Sequence, residues 1–333
     1  MLKELCLLNG TSGEEKDVRD FIISQIDGKC EYSVDALGSI IAFKKGKKSP
    51  VKKVMICAHM DEVGFIVTHI TDDGDLKLSP VGGIDADVVI GRKITANGIT
   101  ATIGTKAVHL MSDDEKKGKV SFDSVYADIG AQSKEEALKY VSLGDFAYFK
   151  SDYYELGNGY IKSKALDDRI GCMLMIELIN TELEYDTYFC FNVQEEVGLR
   201  GAACTSYAVQ SGVSIILEST TAADIDGVEE PETCCILGNG PVVSYMDSRT
   251  VYDRALFEKI MQAAKDNGIK TQTKTMIAGG NDAGAVQTSG KGSKVAGISL
   301  PCRYIHSGAS VVKKSDIEET RKLLKAILTC VYD

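Results

Sequence analysis

The sequence predicts an α/β protein interrupted by a smaller β-rich insertion, and three observations carry that prediction. Apolar runs at residues 54–58, 187–193, 213–217 and 295–300 have the length and the β-branched and aromatic content of buried strands, and helical patterns separate them. Between residues 64 and 153 the texture changes to short alternating runs punctuated by Asp73-Gly74, Gly82-Gly83, Asn97-Gly98 and Lys117-Gly118, which read as hairpins. Acids and histidines gather where the apolar runs stop, and in α/β sheets ligands bind beyond the carboxyl ends of the strands. The expected division is a discontinuous α/β domain of residues 1–64 and 154–333 around an insertion of residues 65–153.

Taken in order, an amphipathic helix over residues 13–26 opens the chain, with Thr11 or Ser12 as its cap. A strand at 39–43 and a basic turn ending at Pro50 lead to the run 54–58, with His59-Met60-Asp61-Glu62 at its end. In the insertion, residues 93–96 and 99–102 flank Asn97-Gly98 as the clearest hairpin. Ser133 to Glu136 forms a capping box, and 145–150 returns to strand. A helix begins near Lys164-Ala165-Leu166-Asp167-Asp168-Arg169 and continues through apolar residues 172–183. The run 187–193 ends at Gln194-Glu195-Glu196-Val197-Gly198, and Glu218 ends the run 213–217 in the same way. A helix over 252–267, a loop turning into a helix at Gly279-Gly280-Asn281-Asp282-Ala283-Gly284-Ala285, the strand 295–300 and Arg303-Tyr304-Ile305-His306-Ser307 follow. An amphipathic helix over 315–332, opened by a Ser315-x-x-Glu318 box, closes the chain.

Composition narrows the functional classes. The 333 residues are 44% hydrophobic and 26% charged, an ordinary soluble balance, and the net charge of -10 excludes nucleic acid and anionic membrane as partners. Residues 1–9 have no signal-peptide pattern and no apolar run approaches a membrane span, so a cytoplasmic location is expected. Ten cysteines without a Cys-x-x-Cys motif are expected to be free thiols in a reducing compartment. Of the four histidines, His69 and His109 fall inside the insertion as structural or rim residues. His59 and His306 remain for chemistry.

Adjacent acids beside a turn are common on solvated strand ends, and acids at a helix start complement its dipole, so each motif alone is ambiguous. Together they place His59, Asp167, Glu196, Glu218 and His306 at strand ends or a helix start of one layered structure. Two imidazoles and three carboxylates suit a pair of zinc, cobalt or manganese ions, with one carboxylate bridging. Paired metals roughly 3.5 to 4 Å apart activate water and polarise a carbonyl. Glu195, beside a ligand, is placed to shuttle the proton, and Asp61, two residues from His59, can fix the tautomer of that imidazole.

The ordered set of motifs resembles the tetrahedral aminopeptidase family of dinuclear metallopeptidases, which includes glutamyl, leucyl and lysyl aminopeptidases and relatives once labelled endoglucanases. It comprises Ala58-His59-Met60-Asp61-Glu62-Val63-Gly64-Phe65, Ala127-Asp128-Ile129-Gly130-Ala131, Ala165-Leu166-Asp167-Asp168-Arg169, the Glu195-Glu196 motif, the Gly279 to Ala285 loop and the His306 segment. The resemblance implies a mixed-sheet metallopeptidase domain with a barrel-like insertion that makes dimer contacts. It implies two divalent ions per subunit, zinc or cobalt or else manganese, with His59, Glu196, Glu218 and His306 as terminal ligands. Asp167 would bridge, Asp61 would orient His59, Glu195 would be the general base, and the Asp167–Asp168 bond would be cis. Self-association into a closed dodecamer would restrict the substrates to short or unfolded peptides. Three residues depart from the common pattern: Glu218 where many relatives carry Asp, Asn281 where Thr is commoner, and Gly308 where Pro is usual. The competing readings are a glycoside hydrolase built on a carboxylate pair, and a metal-free binding or scaffold protein.

Overall fold

The computed structural model describes residues 1–277 and 279–332; Ala278 and Asp333 lie outside the described residues. The strands before the insertion are β1 (Glu31–Val34), β2 (Ile40–Lys44) and β3 (Val54–His59). Those of the insertion are β4 (Gly64–Ile70), β5 (Leu76–Val81), β6 (Lys93–Ala96), β7 (Ile99–Thr105), β8 (Val125–Asp128) and β9 (Phe146–Phe149). After it come β10 (Tyr154–Leu156), β11 (Tyr160–Ser163), β12 (Thr187–Asn192), β13 (Val213–Thr221), β14 (Val242–Ser244), β15 (Lys294–Cys302) and β16 (Ser310–Lys313). The helices are α1 (Leu2–Leu7), α2 (Lys16–Ile26), α3 (Asp113–Lys117), α4 (Lys134–Ala137), α5 (Leu166–Ile179), α6 (Arg200–Val209), α7 (Arg254–Asp266), α8 (Ala283–Thr288) and α9 (Lys314–Ile327).

One mixed sheet has the order β1-β2-β12-β3-β13-β15-β14. Its centre, β12-β3-β13-β15, is parallel, and β2 and β14 join it antiparallel on either side. Alternate residues of β3 point to opposite faces, as extended backbone requires. Val54, Ile56 and Ala58 enter the core shared with α1, α2, α5, α7 and α9, while Met55 and Cys57 meet α6 and α8. A strand covered on both faces has no solvent side, which is why residues 54–58 read as an unbroken apolar run.

The insertion leaves β3 five residues beyond His59 and closes into the barrel β4-β5-β8-β7-β6-β9 around Phe65, Val67, Leu76, Ile94, Ile103, Ala127 and Phe149. The mixed sheet and the separate closed barrel agree with the predicted fold class. Gly64, the first barrel residue, has no room for a side chain: a Cβ there would lie 2.1 Å from Thr11 Oγ1 and 2.9 Å from the Ala147 carbonyl. The hairpin at Asn97-Gly98 is present, with Ala96 opposite Ile99 and both turn residues at positive φ. No helix among the described residues is long and apolar enough to cross a membrane. All ten cysteines are free.

Several local expectations need correction, each for a tertiary reason. Helix α1 precedes the predicted first helix, and α2 starts at Lys16 with Glu15 at its N-cap. Neither Thr11 nor Ser12 caps it: Thr11 bridges to Glu62, and Ser12 donates its hydroxyl proton to Asp61 at 2.6 Å. Helix α9 begins at Lys314, directly after β16, so Ser315 falls inside its first turn instead of capping it. That helix stops at Ile327, and the residues beyond it turn back so that Tyr332 hydrogen-bonds Thr187 at 2.6 Å. Glu218 does not end its strand. The ladder with β15 continues to Thr221 opposite Cys302, which places Glu218 inside β13 opposite Ser299. Helix α5 ends at Ile179, short of the expected residue 183. The Ser133 box is real, its hydroxyl accepting from Glu136 N at 3.2 Å.

Candidate metal centre

The parallel strands bring the predicted residues to one end of the sheet. His59 ends β3 and pairs in register with Asn192, the last residue of β12. Glu195 and Glu196 follow three and four residues later, and His306 lies four residues beyond β15 at φ +58°. Asp167 enters from the start of α5, where Asp167 and Asp168 have non-helical backbone and the peptide bond between them is cis.

Two half-sites share Asp167. His59 Nε2 lies 3.4 Å from Asp167 Oδ1 and 3.2 Å from Glu218 Oε1. His306 Nε2 lies 3.5 Å from Asp167 Oδ2 and 3.3 Å from Glu196 Oε2. Each carboxylate oxygen of Asp167 therefore faces a different imidazole, and each imidazole a different glutamate. Grouping by potential ligand atoms within 4.8 Å of one another cuts the same cluster differently, into His59 with Asp167 and Glu196, and Asp167 with Asp168 and Glu218. That wider grouping omits His306, which the closest contacts place beside Asp167 and Glu196; in both descriptions Asp167 is shared.

The supporting contacts orient the cluster. His59 Nδ1 lies 3.4 Å from Asp61 Oδ1, a charge contact too poorly aligned to count as a hydrogen bond. His306 Nδ1 lies 2.8 Å from the Gly83 carbonyl; a carbonyl only accepts, so the neutral ring carries its proton on Nδ1 and turns Nε2 to the carboxylates. Asp61, fully buried, accepts from the backbone N–H of Glu195 at Oδ1 and of Glu196 at Oδ2, both at 3.1 Å. Glu15 Oε1 accepts from Gln194 N at 3.1 Å. The turn that carries both acids is thus held by side chains more than 130 residues away.

Electrostatics show what the cluster lacks. Burial pushes Glu195 and Glu218 well above the usual carboxylate range, with neighbouring acids adding to it, and pushes Glu196 up to about 7. Burial works against protonation of the imidazoles, yet the Glu218 charge and the Asp167 and Asp61 contacts hold His59 well above its usual range. His306 rises to about 9, burial being outweighed by Asp167 and Glu196. Asp167 Oδ1, Asp168 Oδ2 and Glu218 Oε2 are buried without a hydrogen-bond partner. Crowded, orphaned carboxylate oxygens beside two imidazoles are a donor set that divalent cations satisfy, and the residues present fit such ions.

All seven predicted residues, His59, Asp61, Asp167, Glu195, Glu196, Glu218 and His306, therefore converge. Four supporting groups escaped sequence reasoning. Gly83 offers a carbonyl from the insertion, and Gly82-Gly83 signals only a turn. Ser12 looks like a helix cap. Asp168 and Asp282 are buried acids; Asp282 accepts from Asn192 Nδ2 at 2.8 Å and is raised by burial to about 6. Both fall inside motifs legible in the sequence, Ala165 to Arg169 and Gly279 to Ala285, but those motifs gave neither acid a role.

A sheet that delivers imidazoles and acids to the ends of its parallel strands, beside an open cavity of about 340 Å³, is the build of a hydrolase centre. The chain belongs to the M42 glutamyl aminopeptidase family, whose profile matches residues 38–323, and it is an aminopeptidase. It is 34% identical to the lysyl aminopeptidase of Pyrococcus furiosus, over 98% of this chain and 96% of that one. The TET aminopeptidase from the marine sediment archaeon Thaumarchaeota archaeon SCGC AB-539-E09 superposes with a TM-score of 0.94 at 31% identity, covering 99% of this chain and 95% of that one. The TET1 peptidase of Pyrococcus horikoshii, described as able to assemble into a tetrahedron or a large octahedral shell, gives 0.86 at 34% identity and 98% coverage of both.

Proposed function

We propose that this chain is a metal-dependent aminopeptidase that removes N-terminal residues from short or unfolded peptides with two divalent ions, zinc or cobalt or else manganese. The observation that carries the reading is the pair of half-sites sharing Asp167, with carboxylate oxygens buried and unpartnered. His59 and Glu218 would hold one ion, His306 and Glu196 the other, and Asp167 would bridge. Such ions, when bound, supply Lewis acidity to a substrate carbonyl and lower the pKa of water.

The chain's own residues do the rest. Glu195 takes a proton from the attacking water and returns it to the leaving amine. Burial lifts its carboxyl well above the usual range; the charge of His59 opposes that lift and the neighbouring acids add to it. Asp61 keeps both His59 and the Glu195-Glu196 backbone in place. Residues 1–64 and 154–333 would form the catalytic unit and 65–153 the unit that contacts a second copy, within a closed homo-oligomer.

The test is exhaustive chelation followed by refilling with zinc, cobalt or manganese, read by metal stoichiometry in mass spectrometry and by hydrolysis of aminoacyl chromogenic amides. Loss of activity on chelation, with return at two ions per chain, supports the proposal. Amide hydrolysis that survives complete metal removal refutes it. A glycosidase or a scaffold needs no metal, and a glycosidase would leave His59, His306 and Glu218 without a role.

A further inference from the structure

Three consecutive N–H groups of the turn that carries the acid pair are engaged by two buried carboxylates. Asp61 takes those of Glu195 and Glu196, and Glu15 Oε1 takes that of Gln194 at 3.1 Å together with that of Gly13 at 2.8 Å. Gln194 stands at φ +56°, a left-handed conformation that a residue with a Cβ keeps only where its surroundings hold it. Glu15 is only 3% exposed, so its bond to that turn is made away from water. Although Glu15 occupies the N-cap position of α2, its side chain makes no capping bond there. The carboxylate is spent on the acid-bearing turn instead.

The residues just before Glu15 hold the other segments that bear the site. Ser12 donates to Asp61 Oδ2 at 2.6 Å, the oxygen that also accepts from Glu196 N. Glu62 N donates to the Gly10 carbonyl at 2.9 Å, and Gly10 N donates to Glu62 Oε1 at 3.2 Å. Lys164, three residues before Asp167, donates to the Leu8 carbonyl at 3.1 Å and to Asn9 Oδ1 at 3.3 Å, and it also pairs with Glu62. Residues 8–15 therefore tie together the end of β3, the turn after β12 and the entry to α5, segments that are far apart in the chain. They precede the stretch 38–323 that the family profile matches, and no role for them follows from that match.

We propose that residues 8–15 are a positioning strap for the peptidase reaction, in which Glu15 holds the general base Glu195 in place through the Gln194 amide. The proposal rests on the aminopeptidase reading and deepens it. Glu15 acts through the backbone and needs no contact with the substrate. Without an acceptor at this position the Gln194 N–H is left unpaired in a partly buried turn, and the turn relaxes by rotating that N–H toward water. Such a rotation carries the next residue, Glu195, with it. A displacement of about 1 Å in a reacting group can cost roughly a hundredfold in rate. The Asp61 bonds to Glu195 N and Glu196 N survive the loss of Glu15, so Glu196 keeps its place beside His306 and the defect falls on proton transfer.

The metal-loaded protein and its Glu15→Met, Glu15→Gln and Ser12→Ala variants are to be compared by hydrolysis of aminoacyl p-nitroanilides, by metal content in mass spectrometry and by amide hydrogen exchange over residues 192–198. Glu15→Met keeps the volume and loses the acceptor. It should lower kcat roughly ten- to hundredfold with KM nearly unchanged, retain the metal content of the unmodified protein, and exchange faster over 192–198. Glu15→Gln, whose amide oxygen still accepts both N–H groups, should return kcat and exchange close to those of the unmodified protein. Ser12→Ala, which frees one oxygen of Asp61, should lower kcat in the same direction as Glu15→Met. Unreduced kcat in Glu15→Met, or equal impairment in Glu15→Met and Glu15→Gln, overturns the strap alone while the unmodified protein remains an active aminopeptidase. Should Glu15→Met fail to fold, the other two variants decide: unreduced kcat in Ser12→Ala, or a tenfold loss in Glu15→Gln, overturns it. No turnover of any amide by the unmodified protein at full metal content overturns the aminopeptidase reading and the strap together.

Discussion

Glu195 and Glu196 are chemically identical neighbours whose separate environments assign them separate work. Glu196 Oε2 faces the His306 imidazole at 3.3 Å, whereas Glu195 is buried nearby with no salt bridge to either imidazole. Glu195→Gln keeps the volume and removes the proton acceptor. It should lower kcat by about 10² to 10⁴ with little change in KM, while metal stoichiometry by mass spectrometry stays the same. Loss of metal in that variant would exchange the roles assigned to the two glutamates. Glu218→Ala should behave differently, losing metal together with turnover, because it deletes one of the three groups of its half-site.

At the scale of elements, the connection from β12 to α6 aims the acid pair, and it works because two backbones touch. Gly201 N donates to the Val193 carbonyl at 3.0 Å, and a Cβ on Gly201 would lie 2.5 Å from that oxygen and 2.6 Å from Val193 N. Backbone cannot yield as a flexible side chain can. Gly201→Ala should therefore cost on the order of 1–3 kcal/mol, seen as a thermal midpoint lower by several degrees, and should reduce activity by shifting Glu195 and Glu196. An unchanged midpoint would mean that α6 can slide away from β12, and that the turn is held by Asp61 and Glu15 alone. The insertion shapes the site in a comparable way, since β5 leads into Gly83, whose carbonyl fixes the His306 tautomer.

For the whole molecule, the cluster makes stability depend on both pH and metal. In the chelated protein Glu15 and Glu196 stand at about 7 against a usual 4.5, and Asp282 at about 6 against 3.8, burial being the main cause for each. A raised carboxyl keeps in the folded state a proton that the unfolded chain releases; its contribution is whole below the unfolded pKa and is lost as pH rises through the folded one. His306, at about 9 against 6.5, has the same sign: its contribution is whole below 6.5 and lost as pH rises through 9. The thermal midpoint of the chelated protein should therefore fall as pH rises from 5 to 9. Reloading the ions should flatten that slope, because cations hold the carboxylates in their charged form. A chelated protein whose midpoint is flat or rising over this range would contradict the electrostatic description. Val108 and Leu110 on the insertion, 69% and 63% exposed, are apolar surface for the proposed contact with a second copy. Light scattering at micromolar concentration should report a large assembly, and a fully active monomer would end the closed-shell proposal.

Local pattern determined what local chemistry can determine. The fully buried strand before His59, the Asn97-Gly98 hairpin, the Ser133 cap and the alternating texture of the barrel all follow from periods of two and 3.6 residues and from turn preferences read within a dozen positions. The site's seven side chains were legible for a related reason: charged groups at the ends of apolar runs are costly unless something meets them. Tertiary structure alone decided which runs became neighbours. The pairing of β3 with β12 and β13 sets His59 beside Glu218, 159 residues away, and the continued ladder with β15 moves Glu218 inside its strand. Ser12, readable as a cap, was claimed by Asp61 because a buried carboxylate gains more from a hydroxyl donor than an exposed helix end does. The Gly83 carbonyl left no trace in the sequence, since a backbone acceptor has no side-chain signature.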